Sequence, residues 1–150
     1  MSITDKNLRV SEDQVLTLNG ASALSTYSID LSTYRDIGEG EQLFMNFAIT
    51  TTVSAGTSVA FEIITATDAA LTGTVTTLST TGAIVIASLT AGTNIALPIP
   101  PRIAALGQRY LGARYTVVGD NSAGAGKVTT DIITNVQDGK KFYASGFSVV

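Results

Sequence analysis

Histidine, cysteine and tryptophan are all absent from this chain of 150 residues. Without cysteine there is no thiolate nucleophile, redox pair, disulfide or thiolate metal site. Without histidine the commonest general base, the commonest metal ligand and the usual switch near neutral pH are gone as well. No apolar run approaches the roughly 20 residues that span a bilayer. The start, Met1-Ser2-Ile3-Thr4-Asp5-Lys6, is polar and mixed in charge, with no apolar segment behind it of the kind a secretory signal needs. The chain is therefore expected to be made, and to stay, soluble in a cytoplasm, with no membrane partner.

Charge is also scarce. Charged residues make up 14% of the chain, against roughly 25% in an average globular domain. The net charge is −3 and nine Lys and Arg are scattered along the sequence without a cluster. Nucleic-acid grooves need clustered cations to displace counterions, so DNA and RNA are not expected partners. The one basic dipeptide, Lys140-Lys141, reads as a solvated turn. Polarity rests instead on Ser, Thr, Asn and Gly. A neutral, hydroxyl-rich surface loses little when it is desolvated and suits a protein packed among neighbours. It equally suits an ordinary β domain, because Thr is a good strand former.

What is present is alternation with a period of two. Leu43, Met45, Phe47, Ile49 and Val53 share one parity, opposite Phe44, Asn46, Ala48 and Thr50. Val59, Phe61 and Ile63 alternate with Ser58, Ala60 and Glu62, and Leu111, Ala113, Tyr115 and Val117 with Gly112, Arg114 and Thr116. A fourth set, Val128, Thr130, Ile132, Thr134 and Val136, places Asp131 and Asn135 outward. One-sided alternation is what half-buried antiparallel strands require. Shorter strands are expected over residues 14–18, 26–31, 73–80, 83–87, 93–97 and 143–149. Turn signals separate them at Asn19-Gly20, Gly38-Glu39-Gly40, Ala55-Gly56, Thr81-Gly82, Ala91-Gly92, Gly119-Asp120-Asn121 and Asp138-Gly139. Only residues 102–106, after Pro101, read as helical.

Eight or more short strands without a βαβ rhythm predict an all-β antiparallel β-sandwich, a jelly roll, with an Ig-like sandwich second. The expected organisation is an N-terminal arm over residues 1–13, which lack a clean period, and a single jelly-roll domain over 14–150.

Few motifs invite chemistry. Gly124-Ala125-Gly126-Lys127 lacks the phosphate-loop spacing and the following Ser or Thr, and a strand follows where a helix is needed. Glu39 and Glu41, with Asp36, sit in a turn and have no placed partner for glycoside hydrolysis. Asp120-Asn121-Ser122 has oxygen ligands but not the spacing of a calcium loop, and reads as turn chemistry. Neither a cofactor, a metal site nor a catalytic residue is expected, and the chain reads as a non-enzyme. Of the scattered aromatics, Tyr34, Tyr110, Tyr143 and Phe147 lie among turn residues, where rim packing and protein contact are the two readings.

One ordered series of marks remains. It comprises Asp5-Lys6, Ile29-Asp30-Leu31, Gly38-Glu39-Gly40-Glu41, Leu97-Pro98, Tyr110-Leu111, Ala125-Gly126-Lys127-Val128 and Tyr143-Ala144-Ser145-Gly146-Phe147. In this order the chain resembles the bacteriophage capsid cement (decoration) proteins of the Bordetella podophage type, over nearly its whole length. The resemblance implies a jelly roll on the outer surface of an expanded phage head. There it would sit as trimers at three-fold positions, with the major capsid protein as partner and no catalytic residue. Two departures are a Thr-rich stretch over residues 72–87 and a longer insertion over 102–108. From position and side-chain type, the interface residues expected are Leu8, Arg9, Tyr34, Arg35, Tyr143 and Phe147, with Val149 and Val150 adding apolar surface near the end. The alternative is a carbohydrate-binding or tail receptor-binding sandwich, which wants exposed aromatics grouped in a groove. A glycosidase using two carboxylates is the third reading.

Overall fold

A computed structural model describes residues 5–31, 42–101 and 108–134. Nine strands run in order: β1 (Arg9–Val15), β2 (Ser22–Leu24), β3 (Ile29–Asp30), β4 (Phe44–Thr51), β5 (Ser58–Ala66), β6 (Val75–Val85), β7 (Asn94–Pro98), β8 (Tyr110–Val118) and β9 (Lys127–Ile133). Two short 3-10 turns, Lys6–Leu8 and Ile86–Ser88, are the helical elements among the described residues.

The strands form two antiparallel sheets. One has the order β1-β9-β4-β7; the other has β2-β8-β5-β6, with β3 also paired to β8. Leu24 pairs with Arg114 and Ile29 with Leu111, so β2 and β3 act as one interrupted edge strand along β8. The chain changes sheet at every connection except the short β2–β3 step and the β5–β6 hairpin. That is the double Greek key of a jelly roll.

Alternation placed the core well. Met45, Phe47, Val59, Phe61, Ile63, Ala113, Tyr115 and Val128 are fully buried between the sheets. Phe47 of the first sheet meets Phe61 and Tyr115 of the second at ring separations of 5.2 and 6.1 Å, the latter edge to face. Such pairs add about 0.5–1.5 kcal/mol each beyond the area they bury. The Tyr115 hydroxyl crosses the core, donating to Ser11 Oγ at 2.8 Å and lying 2.7 Å from Thr130 Oγ1. Burial pushes its pKa up to about 12.

Three expectations need correction. Thr81-Gly82 is no turn between two strands. β6 runs through it, with an extra residue opposite Ala60–Glu62 and Gly82 at φ +68°. The Phe61 amide donates to Thr81 Oγ1 at 3.1 Å, so a side chain replaces the missing ladder bond and the strand continues through a bulge. Residues 26–31 are not one strand either, because Ser25 breaks the edge: its hydroxyl donates to Tyr27 O and accepts from the Ala113 amide. Asp131, expected outward, has the outward parity yet is buried, because Arg9 covers it.

The boundary drawn between residues 13 and 14 falls inside β1. Two register shifts against β9, and a positive φ at Asp13, erase the alternation that would have marked this strand. The expected helix over 102–106 and the strand over 143–149 lie outside the described residues.

Candidate interaction surface

Of the six expected interface residues, the structure describes two, and both make contacts within the chain. Leu8 packs partly buried against the core. Arg9 Nε donates to Asp131 Oδ1 at 2.8 Å and its Nη1 to Glu12 Oε1 at 2.9 Å. The hydrogen bond to Asp131 is the main reason its pKa is raised, against some desolvation. Tyr34, Arg35, Tyr143 and Phe147 lie outside the described residues, as do Val149, Val150, Asp36, Glu39 and Glu41.

The turn motifs serve the fold. Asp120 accepts from the Ser122 hydroxyl at 2.6 Å and from its amide at 2.8 Å, which lowers its pKa. Asn121 is fully buried and fastens three segments: it accepts from the Ala55 amide and donates to Leu16 O and Ala125 O. Gly124 sits so tightly against the Asn121 side chain that a Cβ there would overlap it. Among the described residues no group of three acidic side chains is placed to hold a metal. Among the described residues Tyr27 is the one aromatic side chain that is largely exposed, at 58%, while Phe47, Phe61 and Tyr115 are buried.

Sequence reading missed where the charges go. Residues 42–101 carry only two charged side chains, Glu62 and Asp68. Glu62 is held by Arg114 at 2.6 Å. Asp68 accepts from the amides of Gly73 and Thr72 and from the Thr72 hydroxyl, folding Leu71 back over the sheet. There Leu71 forms a second small core with Ile64 and Ala66. The topology lays β4 and β7 side by side in one sheet and β5 and β6 side by side in the other. One flank of the sandwich is thus built from residues 42–101 and is almost free of charge. The opposite flank, β1 and β9 with β2, β3 and β8, carries Arg9, Glu12, Asp13, Asp30, Arg114, Lys127 and Asp131. The signal was present as a gap in the charge pattern, but only the strand order turns that gap into a face.

Two large apolar side chains stand exposed on the outer face of the second sheet, Val85 (59%) and Val118 (49%). Both pair with Ser58, so the three form a row across β6, β5 and β8. The next row is Ala83, Ala60 and Thr116. Hydroxyls and methyl groups make both rows, which suits them to being covered by another protein surface.

Two packed antiparallel sheets in this strand order define a jelly-roll module, an architecture shared by viral capsid and lectin domains. The chain belongs to the Bbp16 family, a phage-related family whose model matches residues 10–132. No curated protein matches it. No helix among the described residues is long and apolar enough to cross a membrane.

Proposed function

We propose that this chain is a structural capsid cement protein of a tailed bacteriophage and not an enzyme. It binds the outer surface of the expanded head as a homo-oligomer and ties neighbouring units of the major capsid protein together. The observation that carries this reading is the nearly uncharged flank of a jelly roll in a phage-related family. A surface without charge gives up little hydration when a protein covers it, whereas buried unpaired charges cost several kcal/mol each. The acidic balance fits an exterior position, since it gives no attraction to packaged DNA.

Cementing needs only modest contacts. An oligomer that engages several equivalent shell sites at once gains avidity, and its release is slow even when each contact is weak. Preference for the expanded shell over its precursor would shift the shell toward the expanded state and stabilise it against internal DNA pressure.

Quantitative mass spectrometry of purified virions tests the reading. The expected result is hundreds of copies per particle, approaching one per major capsid subunit. A handful of copies, or none, would overturn it. Equal affinity for precursor and expanded shells would remove the maturation preference alone.

A further inference from the structure

We infer that Asn19 is a site of spontaneous modification, at which loss of ammonia turns the side chain into a carboxylate facing Asp120. The inference goes beyond the capsid reading and does not depend on it, because it concerns the covalent chemistry of the chain itself.

Asn19-Gly20 is the single Asn-Gly pair of the sequence, and Asn121-Ser122 is the other asparagine followed by a small residue. A small following residue leaves its backbone nitrogen open to attack the asparagine side-chain carbonyl, and glycine, without a Cβ, leaves it most open. The structure separates the two pairs. Asn121 is fully buried; it accepts from the Ala55 amide and donates to Leu16 O and Ala125 O. The Ser122 amide, its would-be attacker, is held by Asp120 Oδ1 at 2.8 Å. Asn19 is exposed, and no described residue hydrogen-bonds its side chain. The restraint there lies on the attacking atom alone: the Gly20 N–H donates to Gly119 O at 3.0 Å.

Local opening of this end of the sandwich releases that bond and lets the reaction run. The Gly20 nitrogen attacks Asn19 Cγ and forms a new C–N bond. The bond from Cγ to the side-chain nitrogen breaks, and ammonia leaves carrying the proton that Gly20 gives up. Water then opens the succinimide ring at either carbonyl, leaving aspartate or an isoaspartate whose backbone runs through the side chain. No oxidant, reductant or cofactor takes part. The product changes its surroundings, because Asn19 and Asp120 oppose each other across an isolated bridge. Asp120 is kept ionised by the Ser122 hydroxyl and amide. Two carboxylates directly opposite repel. The same bridge lets the Asn121 amide donate to Leu18 O at 2.9 Å. Modification thus weakens the pairing that had held it off, and the step is one-way.

Peptide mapping by mass spectrometry tests this, on the purified full chain aged at mildly alkaline pH with and without urea. The expected result is amide-to-acid conversion at Asn19 in both samples, slower by roughly tenfold or more in the folded chain. Asn121 is expected to stay intact while the chain is folded. N19D builds one product directly and is expected to raise the Asp120 carboxyl pKa, read by NMR titration, and to lower the unfolding midpoint. N19Q keeps an amide there and is expected to leave that pKa alone. Conversion at Asn19 as fast in the folded chain as in urea, or none in the folded chain, would overturn the inference. So would conversion of Asn121 at the same rate in the folded chain, or an Asp120 carboxyl that N19D leaves unmoved.

Discussion

The two flanks of this sandwich are made from the same fold and treated in opposite ways. On the β1 flank, Arg9 bridges Asp131 and Glu12, and Arg109 grips Asp30 with two hydrogen bonds of 2.8 and 2.6 Å. The edge strand there is bulged at Asp13, whose carboxylate accepts from Thr50. Charges and bulges of this kind stop an edge from recruiting foreign strands. On the β6–β7 flank the one ion pair among the described residues is Glu62 with Arg114 of β8, and threonines and alanines take the place of other charges. Stability does not require all of the difference, because exposed ion pairs such as Arg109–Asp30 contribute little. The contrast instead separates a side meant to stay wet from a side that can be covered.

The largest expected effect ignores the division. Phe61→Ala opens the ring cluster that both flanks share and should cost about 3–5 kcal/mol in denaturant unfolding. A loss below about 1 kcal/mol would mean that the sheets are not held by this cluster.

Next is Arg9→Ala, which leaves the Asp131 side chain, 6% exposed, without its cation. Arg9 is itself partly solvated, so a loss of about 2 kcal/mol is expected, below the range for fully buried pairs. The comparison predicts that this substitution lowers the unfolding midpoint yet leaves self-association intact. If Arg9→Ala dissociated the oligomer, the assignment of roles to the flanks would be wrong.

Tyr115→Phe removes the hydroxyl between the sheets and leaves Ser11 and Thr130 to each other, for about 1–2 kcal/mol. It also carries a pH signature. The folded pKa, about 12, lies above the ordinary value of 10.0. The raised value favours the neutral phenol, so its contribution is full below pH 10.0 and is lost as pH rises toward about 12. Alkaline unfolding followed by tyrosinate absorbance should therefore be shallower in the variant. An identical slope would place the alkaline sensitivity elsewhere.

The smallest effects concern salt and acid. Raising ionic strength screens exposed charges beyond about 10 Å at 0.1 M. Binding to the shell through the uncharged flank should then change little, and a strong salt dependence would point to the charged flank. The Asp68 carboxyl is held below its usual range, chiefly by the Gly73 amide and then by the Thr72 hydroxyl. Its lowered folded pKa favours the ionised form, so that contribution is present above the ordinary value of 3.8 and is lost as pH falls through the lower folded one. Asp68→Asn should flatten the acid limb of stability below that point, and an unchanged limb would show that the loop bonds do not matter.

Legibility followed regularity. β4, β5, β8 and β9 were readable because their inward residues keep strict alternation through the core. Bulges hid β1 and β6, since one extra residue flips every side chain after it to the other face. Thr81-Gly82 looked like a turn because a bulge and a hairpin ask for the same permissive residues. Asp131 looked solvated because its cover, Arg9, lies 122 residues away in the chain. From sequence, Leu8 and Arg9 showed only that they lie near a terminus; that Leu8 packs on the core and Arg9 pairs with Asp131 was not legible, because both contacts are made by segments distant in the chain.

By itself the sequence determined the class of the fold, the identity of most core residues and the poverty of catalytic groups. Those depend on side-chain type and local period, which a chain displays whatever its partners. It also contained the charge gap of residues 42–101, but as a stretch of composition without a location. Only the tertiary structure decided that this stretch forms one side of both sheets and that Val85 and Val118 stand in one row. Strand order is set by non-local pairing, and residues distant in sequence become neighbours only when the jelly roll closes.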